Sequence, residues 1–137
     1  MASDLKTSMI ISAAGLRAQG QRVKIIAENI ANANSTANTP GGDPYRRKVL
    51  TFANVFSKAL DADLVRVRKV IGDRSDFGLV FDPNHPAAGP DGYYKTPNVN
   101  ALVEMSDMRE AQRSYEANLN MIETSRSMVT RTIDLLR

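Results

Sequence analysis

Apolar residues step by three and four along both ends of this chain, a spacing that long helices satisfy and strands do not. At the N-terminal end the positions are Leu5, Met9, Leu16, Val23, Ile26 and Ile30, and with Ser12, Gln19 and Ala33 filled in the alternation is unbroken. Ser3 or Asp4 can cap the start, so the pattern predicts a helix over residues 4–33, about 45 Å long. The C-terminal end repeats the pattern through Ala101, Met105, Met108, Gln112, Tyr115, Leu119, Ile122, Arg126, Val129, Ile133 and Leu136. It predicts a second helix over residues 99–136, about 55 Å long. Both lines have the form of heptad seams. Met121, Met128 and Leu135 make a further apolar line on the second helix, which is therefore expected to need more than one neighbour.

Neither helix is expected to stand alone. Ser12, Gln19, Gln112 and Arg126 interrupt the seams, and isolated helices are marginal in water even with good propensity. Facing inward, Gln19, Gln112 and Arg126 would cost stability while fixing register and partner; facing outward they are simply solvated. Gly15 and Gly20, beside Ala13, Ala14 and Ala18, weaken the first helix by about 1 kcal/mol per glycine yet let a second backbone come close. Composition agrees: apolar residues are 42% of the 137 but aromatics only 6%, with no Trp, which favours helix packing over a deep core.

Between the ends the period changes. Residues 46–56 (RRKVLTFANVF), 62–73 (ADLVRVRKVIGD) and 76–83 (DFGLVFDP) alternate apolar with polar or carry β-branched and aromatic runs, and predict three short strands in a small sheet or extended arms. Residues 82–98, DPNHPAAGPDGYYKTPN, hold prolines at 83, 86, 90 and 97 and a Pro-Asp-Gly turn, and read as ordered loop rather than strand. The expected organisation is an N-terminal helix (1–34), a linker with a β or extended middle (35–98), and a C-terminal helix (99–137). The fold class is mainly α with a small β middle, the two helices packed as a coiled coil.

Little in this arrangement points to catalysis. Cysteine is absent, which removes disulfides, thiolate nucleophiles and cysteine zinc sites. The one histidine, His85, lies in a proline-rich loop with no nucleophile at a recognisable elbow, and reads as an exposed loop residue. Asp73, Asp76, Asp82 and Asp91 sit near turns without the spacing of a calcium loop. No metal, cofactor or catalytic site is expected. The 18 Lys and Arg are interleaved with 15 Asp and Glu for a net charge of +3, a solvated mixed surface. Arg46, Arg47 and Lys48 with Arg66, Arg68 and Lys69 could meet phosphate, but the aromatics of a single-strand platform are missing, so no nucleic-acid partner is expected. MIISAAGL, residues 9–16, imitates a signal-peptide core, yet its helical pattern continues through Arg17 and Arg22; it reads as helix, with no cleaved signal and no membrane insertion.

The first helix runs into AENIANANSTANTPGGDPYRR, residues 27–47, with four asparagines, two threonines and two prolines. Asn tolerates the left-handed conformation of a helix end and bonds local backbone, and Pro40 forbids a return to helix, so Asn29 and Asn32 read as helix-end hydrogen bonders. This stretch, in which an Asn-Ile-Ala-Asn element precedes Tyr45-Arg46 at the start of the middle region, resembles the signature of bacterial flagellar axial proteins, the rod and hook family. Residues 80–128, with Pro-Asn-Val, Glu-Met and Ser-Tyr-Glu-Ala-Asn, are similar to the second signature, in the form found in proximal-rod subunits. The long linker STANTPGGDP supports that finer likeness.

The resemblance implies a structural subunit of the basal-body proximal rod, polymerised through its terminal helices into the periplasmic drive shaft that carries torque from motor to hook. It implies export by the flagellar type III apparatus without a cleaved signal, and partners that include other copies of the chain, other rod subunits, and the MS-ring with the rod adapter protein at the rod base. The interaction residues expected on the seams are Leu16, Val23, Ile26 and Ile30, and Met108, Tyr115, Leu119, Ile122 and Val129; Asn29, Asn32, Tyr45 and Arg46 belong to the helix-end signature. The alternatives are another small axial subunit and, from a different class, a helical adaptor of the cytoplasm without enzymatic activity.

Overall fold

A computed structural model describes residues 1–137, Ala2 in its backbone only. The elements in chain order are α1 (Ala2–Ala31), β1 (Lys48–Ser57), β2 (Ala62–Gly72), β3 (Gly78–Phe81), β4 (Tyr93–Thr96) and α2 (Ala101–Leu135). The protein is thus two long terminal helices with a small β middle. That middle is two separate ribbons, β1 with β2 and β3 with β4. The chain divides into two compact units, the first Met1–Val23, Leu50–Lys69 and Arg109–Arg137, the second Lys24–Val49 and Val70–Met108.

In the first unit α1 and α2 run antiparallel. Gly15 abuts the Asn118 side chain, Gly20 the Tyr115 ring, and Arg22 reaches Glu110 at 3.4 Å. The side chains pressed inward are small: Ser12, Ala14 and Ala18 on α1, Ala111 and Ser125 on α2. Such residues permit close backbone approach where large ones would hold the helices apart. The apolar line of the sequence lies beside this stripe, so Tyr115 and Leu119 remain 37% and 39% exposed. The connection between β1 and β2, residues 58–61, is four residues long, which only an antiparallel ribbon allows, and Asp61 takes the left-handed conformation (φ 48°) that Asp tolerates.

The second unit gathers the exit of α1, the linker, β3, β4 and the entry of α2. The Asn32 side chain and N–H both donate to Glu28 O, at 2.9 and 3.1 Å, closing the last turn of α1. At α2 the Asn100 carboxamide oxygen accepts from the N–H groups of Leu102 and Val103 at 3.1 and 3.3 Å, a side-chain N-cap. Two sequence expectations are corrected here. Tyr93–Thr96 is a strand, pairing antiparallel with β3 from Phe81 opposite Tyr93 to Gly78 opposite Thr96. Pro90 and Pro97 bound this stretch without entering it, and Gly92 (φ 81°) supplies the turn that lets Tyr-Tyr-Lys-Thr lie extended. His85 is half-buried rather than exposed: its ring stacks on Tyr94 at 3.8 Å, Nδ1 accepts from Ala87 N–H at 3.1 Å, and Nε2 lies 3.4 Å from Thr36 Oγ1.

A buried polar hub and exposed apolar faces

The second unit is fastened by a polar cluster built on Asn29. Two residues before the end of α1, Asn29 is 1% exposed and uses all four hydrogen-bonding positions of its carboxamide. Its Nδ2 donates to Lys48 O at 2.8 Å and to Glu104 Oε2 at 3.2 Å. Its Oδ1 accepts from Lys48 N–H and from Tyr45 Oη, both at 2.9 Å. The amide therefore pairs with both backbone groups of Lys48 as a neighbouring strand would, closing the open edge of β1 where it begins.

Glu104, fully buried one turn into α2, continues the cluster. Its Oε1 accepts from Arg47 Nε, while Arg47 Nη1 reaches Asp73 Oδ2 at 3.2 Å and Nη2 lies 3.8 Å from Asp107 Oδ2. Asn98 holds the backbone around the guanidinium: Oδ1 accepts from Arg47 N–H at 2.7 Å and Nδ2 donates to Asp73 O at 3.1 Å. A buried carboxylate is tolerable only when bonded to this extent. Burial pulls on Arg47, but the bonds to Glu104 and Asp73 outweigh it and hold its pKa above the ordinary value. The Tyr45 hydroxyl is pushed up by burial, with Glu28 and Glu104 adding to this against Lys48's opposing pull. The Lys48 ammonium is raised by its 3.0 Å bond to Glu28. Nothing here resembles a reacting constellation; each group has a fixed bonding partner.

The residues singled out from sequence fall in different surroundings. Asn29 and Tyr45 share the hub, and Asn32 closes the helix. Arg46 is exposed, its guanidinium 4.2 Å over the Phe77 ring and donating to Asp73 O at 2.6 Å. Ile26 is buried; Leu16, Val23, Ile30, Met108, Ile122 and Val129 are half-buried. Sequence reasoning took Arg47 and Lys48 only as part of a cationic cluster and Asp73 only as a turn residue, and missed Asn98 and Glu104; the partners of all five are mostly far away along the chain. Among the described residues no group of three His, Cys, Asp or Glu could hold a metal ion, and no helix is long and apolar enough to cross a membrane.

Among the described residues the buried apolar side chains are four alanines, Ile26, Pro44 and Pro97, while Leu79, Phe81, Leu102, Met105, Met121, Met128, Ile133, Leu135 and Leu136 stand about half exposed or more. Long terminal helices with apolar side chains turned outward, joined by a small β middle, define a class of protein made to be buried against other chains. Residues 9–41 match the family model "Flagella basal body rod protein", and residues 91–135 match "Flagellar basal body rod FlgEFG protein C-terminal". Among curated proteins, the flagellar basal-body rod protein FlgC of Agrobacterium fabrum is 50% identical over 97% of this chain and 96% of its own length. Proteins of the same name from Yersinia enterocolitica and Bacillus subtilis are 38% and 35% identical, over 91% and 93% of this chain and 92% and 95% of theirs. The chain belongs to the flagellar basal-body rod protein family.

Proposed function

We propose that the chain is a structural, non-enzymatic subunit of the proximal rod, crossing into the periplasm through the flagellar export apparatus without a cleaved signal. There it would assemble with copies of itself, other rod subunits, and the MS-ring and adapter at the rod base. The observation that carries this reading is the apolar surface left on α1, α2 and the ribbons of a member of this family. Leu16, Val23, Ile30, Met108, Tyr115, Leu119, Ile122 and Val129 would complete coiled-coil contacts with neighbouring subunits, using the seam beside the small-residue stripe. The working division is two axial helices, 1–34 and 99–137, around a bracing middle, 35–98, with Tyr45 and Arg46 setting where the middle begins. Torque would then pass through many packed contacts in parallel.

Deleting the gene in its host and imaging detergent-extracted basal bodies tests this: rings without a completed rod, rescued by the intact gene, are expected, and complete basal bodies would overturn it. Leu119→Asp refines the test. Because Leu119 is 39% exposed, the substitution gives up only part of a leucine's burial and should cost the isolated chain about 1–2 kcal/mol, short of unfolding it, while abolishing rod assembly. Normal rods in that strain would remove Leu119 from the seam.

A further inference from the structure

The β3–β4 ribbon leaves one edge of β3 open. Gly78, Leu79, Val80 and Phe81 are all exposed, Leu79 to 65% and Phe81 to 60%. Across the ribbon Asp82 N–H donates to Gly92 O at 3.0 Å. Alternate residues of an antiparallel strand face the same neighbour, so Val80 turns its backbone toward β4, and Leu79 and Phe81 turn theirs outward. An edge with no Pro or charge inside it is a template for another strand. Its flanks are acidic, Asp76 on one side and Asp82 on the other.

A second open edge, of opposite sign, lies on β2. The β1–β2 sheet has two strands, so one side of β2 is unpaired. Leu64, Val65, Arg66 and Val67 form one wall of a groove whose other wall includes Ala14, Arg17 and Ala18 of α1. Arg66, Arg68 and Lys69 are exposed on this strand. Among the described residues none of these three, nor Asp76 or Asp82, takes part in an ion pair. Basic side chains at an edge repel a copy of that same edge, while they attract a strand with acidic ends.

We propose that β3 of one copy adds as a third strand to the open edge of β2 in the next copy, Asp76 and Asp82 meeting Arg66, Arg68 and Lys69. Different patches meet on the two copies, so the contact repeats head to tail. Unless its rotation closes a ring, it generates an open helical filament rather than a dimer. The proposal rests on the reading of the chain as a rod subunit and adds a specific contact to it.

The absence of cysteine makes introduced thiols the only ones in the chain. In a deletion strain complemented by chains carrying Arg66→Cys or Arg68→Cys together with Leu79→Cys or Phe81→Cys, oxidation of isolated basal bodies should give covalent multimers in at least one of these combinations. A disulfide requires Cα atoms within about 7 Å, so only strands lying side by side qualify. Replacing whichever of Arg66 and Arg68 is not the cysteine by Glu, with Asp76 and Asp82 unchanged, should lower the multimer yield about tenfold. Complete rods with no multimer in any combination, or a yield insensitive to the charge reversal, would overturn strand addition and leave the rod reading intact. Complete basal bodies in the uncomplemented deletion strain would instead sink the rod reading itself. Should a cysteine pair block assembly, the purified full chain at high concentration carries the same readout.

Discussion

Asn29 tests the hub most directly. Asn29→Ala removes four hydrogen bonds and leaves the Lys48 N–H and C=O, the Tyr45 hydroxyl and one Glu104 oxygen without that partner. At a net contribution of about 1 kcal/mol per bond, the expected loss is about 4 kcal/mol, a large share of the roughly 5–15 kcal/mol that holds a domain folded. Asn29→Asp keeps the shape and the two accepting bonds but loses both donors, and it sets a carboxyl where Nδ2 now lies 3.2 Å from Glu104 Oε2. Two carboxylates that close do not both ionise readily, and Arg47, already engaged with the other Glu104 oxygen, offsets only part of the repulsion. The protonated form of the introduced carboxyl restores the bond to Glu104, so the folded pKa of that introduced group stands above its unfolded value. The compensation is then present at low pH and disappears as pH rises through that folded pKa. The bond to Lys48 O stays lost at either pH, so Asn29→Asp should be about 1 kcal/mol less stable than the parent at about pH 4 and about 2 kcal/mol or more less stable at pH 7. Urea unfolding followed by far-UV circular dichroism gives the difference, and amide exchange at Lys48 shows whether the loss is local. Both variants within about 0.5 kcal/mol of the parent at pH 7, or an Asn29→Asp deficit that grows on acidification, would refute the reasoning.

Two further outcomes are expected. A Cβ at Gly15 would stand 2.7 Å from Asn118 Oδ1, so Gly15→Ala sets a helix gain of about 1 kcal/mol against about 1–3 kcal/mol of overpacking. In an Asn118→Ala background the overpacking disappears and the gain remains; a double-mutant cycle with a coupling below about 0.5 kcal/mol would show that the helices do not meet there. The Asp73 carboxyl is held below its ordinary pKa by bonds from the Ser75 N–H and hydroxyl, with Arg47 adding to them. Its stabilisation is therefore present above the unfolded value of about 3.9 and is lost as pH falls through the lower folded value, so Asp73→Asn should flatten the acid limb of the stability curve.

The helices were legible because their signal is local and repeated: each turn of α1 and α2 restates a spacing that nothing but helix satisfies. The short strand β4 was not, because four prolines outweighed the two tyrosines, although Pro90 and Pro97 fall outside Tyr93–Thr96 and so forbid nothing within it. The hub was hidden for a different reason. Asn29 looked like one more helix-end asparagine, and its local surroundings supported that role, which Asn32 fills by bonding Glu28 O. What distinguishes Asn29 is contact with Lys48, 19 positions on, and Glu104, 75 positions on. No local period encodes such separations. The α1 side of the stripe was legible in Gly15, Gly20, Ala14 and Ala18, but its α2 side, Ala111 and Ser125, was not, because sequence patterns weigh large apolar residues. The small-residue stripe leaves large side chains at the margin of the contact, where Tyr115 and Leu119 stay 37% and 39% exposed. On the proposed reading the rest of their burial comes from neighbouring subunits, so the stability of the helices and the assembly of the rod would draw on the same surface.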